Sequence, residues 1–338
     1  MRSATSHIVS IFSLPLFFFV ATAFSCDKAD LYALESLPDP DFSSPDTVSV
    51  IVRPADDPKL EPVDLEGRIT IVPYSELNYE HQSAALYGNY VLFVKGGRMA
   101  MRLFDMERNT KIYTLAMQRE NAGIYHCNQS SFGTQRYDPT DFFPLLYISQ
   151  RVRSEDRCFT EVFRIVPLFN ADSTAILSFR TELVQEIFFP PMSKENSLGN
   201  VNCVIDTQTG KMYTYSRNNN SNDGNYGQCK ITRFDIPDIH QREVFLEDAD
   251  IQSSFMIEAK ATNMQGGCIV NNRLYIGQGY PAAKSVYLNV VDLQEERLVK
   301  RYDLLARGVD WEPEGCFYYD GSVMLAHTGA ICRIVEEE

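Results

Sequence analysis

Short apolar runs and polar turns alternate along most of this chain at a spacing that suits strands rather than helices. The clearest stretch runs from Asn263 to Cys332 and contains one unit twice. The first copy reads Met264-Gln265-Gly266-Gly267-Cys268-Ile269-Val270-Asn271-Asn272-Arg273-Leu274-Tyr275-Ile276-Gly277. The second reads Trp311-Glu312-Pro313-Glu314-Gly315-Cys316-Phe317-Tyr318-Tyr319-Asp320-Gly321-Ser322-Val323-Met324-Leu325. Each passes from a polar residue through a glycine-containing corner into a short apolar run, a tight turn and a second apolar run. That is a β-hairpin written twice. Residues 286–293 and 298–302 add two strands around the charged turn Gln294-Glu295-Glu296-Arg297. Four strands between equivalent points is the repeat of a β-propeller blade.

The same start recurs upstream. Residues 81–93 contain a Gly88-Asn89 turn that aligns with Asn271-Asn272 and so sets Gln82 over Gln265. A second start lies at His126-Cys127-Asn128-Gln129, a third at Asn200-Val201-Asn202-Cys203. Residues 133–142 and 217–228 read as polar excursions. Residues 68–74 form a clean strand that begins no blade. An open ring would leave two unpaired strand edges, so this strand is predicted to close the ring by completing the last blade. The expected fold is an all-β propeller of five blades. A sixth is left open, because residues 176–180 and 183–187 supply two more apolar runs.

Before the propeller the pattern changes. Residues 8–20 are apolar, follow Arg2, and lead through small residues to Cys26. Residues 1–25 therefore read as an export signal, with Cys26 as a candidate lipidation site, although Ala23 stands where leucine is usual. Residues 26–65 hold six prolines among many acids and read as a tether. Residues 66–338 are the expected propeller domain.

Composition narrows the functions. The chain has 338 residues, 44% hydrophobic and 12% aromatic, enough for a sizeable core. Its net charge of −14 repels phosphate backbones, so nucleic acid is not the expected partner. The eight cysteines form no CxxC pair and point to no zinc or redox motif. Cys127, Cys203, Cys268 and Cys316 fall near blade starts and read as small apolar side chains packed near the axis rather than as disulfides. There is no P-loop, dinucleotide fingerprint or Ser-His-Asp order, so no cofactor is expected.

In a propeller the residues just before each innermost strand converge at one rim. Here they are Gln82, Asn128 or Gln129, Asn202, Gln265 and Glu314, flanked by His81, His126, Trp311 and Glu312. Amides both donate and accept hydrogen bonds, and a tryptophan face beside carboxylates suits a sugar. The expected ligand-binding set is His81, Gln82, His126, Asn128, Asn202, Gln265, Trp311 and Glu314. Three functions stay open. One is binding of a glycan or cell-surface polymer without catalysis. Another is a glycan-active or metal-dependent hydrolase or lyase in which Glu314 and Glu312 supply the acid and base. The last is a protein scaffold working through the loops at 133–142 and 217–228.

Four motifs carry a family likeness: Gln265-Gly266-Gly267, Tyr275-Ile276-Gly277-Gln278-Gly279, Val290-Val291-Asp292-Leu293 and Glu312-Pro313-Glu314-Gly315. They resemble the group of five-bladed propellers that includes the teichoic-acid biosynthesis protein C and phage receptor-binding domains. The signal and length resemble lipoproteins of Bacteroidetes. The likeness is clear over residues 263–332, weaker over 67–215 and absent from 1–65. It implies a carbohydrate or surface-polymer binder in the cell envelope, held to the outer membrane by its lipid.

Overall fold

The structure, a computed structural model, describes residues 69–77, 81–95, 100–116, 127–150, 157–171, 176–191, 201–218, 227–258, 263–327 and 329–336. The expected signal, Cys26 and the tether lie outside the described residues, as does His126.

The described strands form five sheets arranged as a five-bladed propeller. Strand β1 (Ile69–Glu76) precedes the blades. The first blade is β2 (Ser83–Tyr87), β3 (Tyr90–Lys95), β4 (Ala100–Asp105) and β5 (Thr110–Ala116), paired in that order. The second runs β6 (Ser130–Phe132), β7 (Leu146–Gln150), β8 (Phe159–Phe169) and β9 (Ile176–Phe188). The third is β10 (Asn202–Asp206), β11 (Lys211–Arg217), β12 (Gln228–Asp235) and β14 (Ser253–Glu258). Between its last two strands, β13 (Glu243–Phe245) reaches back and pairs in parallel with β9 as a fifth strand of the second blade. The fourth blade is β15 (Met264–Val270), β16 (Arg273–Tyr280), β17 (Ser285–Asp292) and β18 (Arg297–Asp303). The fifth is β19 (Gly315–Tyr319), β20 (Ser322–His327) and β21 (Ala330–Glu336), completed by β1, which pairs antiparallel with β21. The N-terminal strand thus closes the ring as expected. The runs at 176–180 and 183–187 are both parts of β9, and there is no sixth blade among the described residues.

Turn chemistry sets the registers. Asn271 and Asn272 both have positive φ, 48° and 61°, as do Asp320 and Gly321, 48° and 75°. Two such residues in a row make the primed turn whose twist matches that of flanking strands. A second device appears at Asp105, Asp206 and Asp292. Each ends a strand, and its carboxylate accepts from the backbone N–H two or three residues on: Arg108, Gln208, and both Gln294 and Glu295. Each of these turns ends on a left-handed residue, Asn109, Gly210 or Glu296.

The core lies between blades. Five apolar clusters fill the five seams. Alternation assigns each side chain to a seam. In β3, Leu92 and Val94 face the second blade, whereas Val91 and Phe93 face the fifth. Both faces of a blade are therefore buried, and its strands read as continuous apolar runs. Among the described residues no helix is long and apolar enough to cross a membrane.

Candidate functional site

The innermost strands β2, β6, β10, β15 and β19 start at one end of the molecule, here the upper rim. Antiparallel pairing brings the ends of β3, β7, β11, β16 and β20 to the same rim. The lower rim holds the ends of the innermost strands.

Glycines and alanines let the innermost strands come close. A Cβ on Gly266 would meet the Glu314 carbonyl oxygen at 2.3 Å, and one on Gly315 would meet the Ala84 Cβ at 2.8 Å. The polar residues at the heads of these strands are thereby drawn together. Gln82 Nε2 donates to Glu314 Oε1 at 2.6 Å, although the two lie 232 positions apart. Gln265 Nε2 donates to Glu312 Oε2 at 3.0 Å and to the Gly279 carbonyl at 3.4 Å. The Glu314 N–H donates to the Glu312 carbonyl, which fixes the bend through Pro313. Glu314 is buried, whereas Glu312 and Gln82 are half-buried. Among the described residues no basic side chain pairs with Glu312. Beside these carboxylates the Trp311 indole stacks on His327, with ring centroids 3.9 Å apart and planes 10° apart. Both rings are half-buried.

Below this group the axis is closed. Gln129 Nε2 donates to the Gly267 carbonyl at 2.8 Å, and the Gly267 N–H donates back to Gln129 Oε1 at 2.7 Å. The second and fourth blades are not neighbours, so this clamp crosses the axis. The Tyr215 hydroxyl, from the third blade, donates to the Gln265 carbonyl at 2.7 Å and lies 3.1 Å from Gln129 Oε1. Gln129 is 1% exposed and Tyr215 fully enclosed, and burial raises the Tyr215 phenol well above its ordinary pKa. Gln129, Gly267 and Tyr215 thus form a polar layer across the axis beneath the upper-rim carboxylates.

The remaining expected residues fall as follows. Asn202 is buried; its Nδ2 donates to the Met264 carbonyl at 3.3 Å, and its Oδ1 has no protein partner among the described residues. Asn128 is half-buried before β6. His81 is 1% exposed, with its ring 4.8 Å from that of Phe93, so it sits inside the seam between the fifth and first blades. Gln82, Gln265, Glu312, Glu314 and Trp311 form one constellation. His327 and Tyr215 belong to it too, and sequence reasoning missed both. Among the described residues no three His, Cys, Asp or Glu side chains are grouped to hold a metal ion. The two excursions offered as a protein-binding pair join strands at opposite rims. The 133–142 loop follows β6 at the lower rim; β11 ends and β12 begins at the upper, and residues 219–226 between them lie outside the described residues. The lower loop is knit to the fold by Arg164, whose guanidinium grips Asp141 through Nε and Nη2 at 2.7–3.0 Å. That grip raises the Arg164 pKa further.

Chemically the upper rim combines carboxylate acceptors, amide groups and one aromatic slab. Hydroxyls can donate to such carboxylates, amides can do either, and the flat rings can take a C–H face.

No protein-family model matches the chain, and no curated protein matches it. Solved structures resemble it distantly. The glutaminyl cyclase of Myxococcus xanthus is 11% identical, with a TM-score of 0.42 over 80% of this chain and 97% of its own. An auxiliary nutrient binding protein from Bacteroides thetaiotaomicron is 10% identical, with a TM-score of 0.40 over 81% of this chain and 78% of its own. A putative oxidoreductase (glucose dehydrogenase) from Thermus thermophilus is 8% identical, with a TM-score of 0.41 over 79% and 100%.

Proposed function

We propose that this is an exported propeller, lipid-anchored at Cys26 to the outer membrane, that binds a glycan or other cell-surface polymer at its upper rim without turning it over. The observation that carries this reading is the meeting of Trp311, His327, Glu312, Gln265, Gln82 and Glu314 at one rim. A half-buried carboxylate with an amide partner and, among the described residues, no basic one is open to hydroxyl donors, and the half-buried indole and imidazole lie beside it. The direction of the chain fits an anchor. Strand β1 begins at the lower rim, at the opposite end from these residues.

A glycan array probed with residues 66–338 tests the binding. At least one hydroxyl-rich glycan should be retained, and Trp311→Ala should weaken it at least tenfold, about 1.4 kcal/mol. Retention unchanged in Trp311→Ala would refute the site. Release of product from the retained glycan, abolished in Glu314→Gln, would replace binding by hydrolysis or elimination.

A further inference from the structure

Seven cysteines fall among the described residues, and none of these is in a disulfide. Five of them, Cys127, Cys158, Cys203, Cys229 and Cys332, are buried. The other two meet. Cys268 on β15 and Cys316 on β19 bring their sulfurs to 3.5 Å across the seam between the fourth and fifth blades. The two positions are 48 residues apart and belong to neighbouring innermost strands. Those strands are held against each other by backbone, because Gly266 leaves no room for a Cβ beside the Glu314 carbonyl and the Cys316 nitrogen. The sulfurs are thus in van der Waals contact before any bond exists, and a bond of about 2.05 Å needs them to close by roughly 1.5 Å.

We propose that Cys268 and Cys316 are an oxidation site at which a disulfide-class oxidant installs a bond between the two blades. Cys268 is half-buried, whereas Cys316 is buried. Cys268 is therefore the thiol that such an oxidant reaches first. As thiolate it attacks one sulfur of R–S–S–R, giving the mixed disulfide Cys268–S–S–R and releasing R–S⁻. The Cys316 sulfur then loses its proton and attacks Cys268 Sγ, expelling the second R–S⁻. Two electrons pass from the protein sulfurs to the oxidant, and the two thiol protons end on the two released thiols. The hydrogen bond to Cys268, together with burial, raises the Cys316 thiol well above its ordinary pKa.

The bond would tie together the strands that carry Gln265 and Glu314, three positions before Cys268 and two before Cys316. It stands apart from ligand binding, since it needs only the fold and an oxidant.

The test treats the folded, fully reduced full-length protein with oxidised glutathione at pH 8 and reads intact mass, free-thiol count and a peptide map. The expected result is a loss of about two mass units and of two titratable thiols, with one cross-link joining the peptides of Cys268 and Cys316. The oxidised form should melt higher, on the order of 5 °C, because the bond closes a long loop in the unfolded chain. Cys268→Ser should abolish the cross-link, and Cys332→Ser should leave it intact. Four results would overturn the proposal: no thiol lost from the folded protein, a glutathione adduct at Cys268 that never resolves, a cross-link mapping elsewhere, or no rise in melting temperature. The map of the wild-type protein decides the matter even if a serine variant fails to fold.

Discussion

Gly266 and Gly315 show how little space the axis leaves. At Gly266 a methyl group would land 2.3 Å from a backbone oxygen, where no side chain can yield. Gly266→Ala should therefore lower stability by about 3 kcal/mol or more, read from the urea midpoint. Gln129 is the counterpart in polar form. Its carboxamide satisfies both backbone groups of Gly267 and meets the Tyr215 hydroxyl. Gln129→Leu leaves those groups buried and unmatched and should cost about 2–4 kcal/mol. Burial also pushes the thiols of Cys203 and Cys229 up to about 12. In the unfolded chain such thiols lose their protons near pH 9, but in the fold they keep them. Between those limits the unfolded state binds fewer protons, so stability should fall as pH rises, by up to about 1.4 kcal/mol per pH unit for each thiol. Melting curves from pH 8 to 11 check this; a flat profile would show that the two thiols titrate alike in both states. At this scale Gln82, Gln265 and Glu314 were legible, because they stand before strands that repeat in sequence. His327 was not, because it ends a second strand, and only the up-and-down alternation of a blade brings that end to the upper rim. Gln129 was noticed as polar, but its reach across the axis depends on the width of the ring, which no local pattern encodes.

Among the elements, β1 has the largest consequence. Ile69 is 1% exposed in the seam between the fourth and fifth blades, and Tyr74 and Leu77 pack against the first blade's side of the ring. Without β1 the edge of β21 is open and the ring loses its latch. A chain beginning at residue 78 should therefore lose its cooperative melting transition or self-associate, as read by calorimetry and light scattering; a monomer that melts as the longer chain does would contradict this. The latch was legible because residues 68–74 make a strand that begins no blade. The second blade is less legible. Its hairpin β8–β9 has strands of 11 and 13 residues, longer than those of the other blades, and so looked like spare material for a sixth. β13 was invisible as a short run whose partner lies in another blade. Asp105, Asp206 and Asp292 each close a strand and start a four-residue turn, and that recurrence in the sequence marks the lower rim in three blades.

For the whole molecule, circular closure gives two unlike ends. The upper rim gathers the carboxylates, amides and aromatic slab, and the lower rim receives β1 and the packed 133–142 loop. Trp311 is the single tryptophan of the chain, so its fluorescence reports on the upper rim alone. The most direct test is a titration of the soluble domain with a glycan retained on the array, followed by tryptophan emission, in the wild type and in Glu312→Gln. The expected result is a saturable change in emission whose midpoint shifts at least tenfold in the variant. Binding that leaves the Trp311 emission unchanged, or a variant that titrates as the wild type does, would place the ligand elsewhere and contradict the upper rim as the binding site.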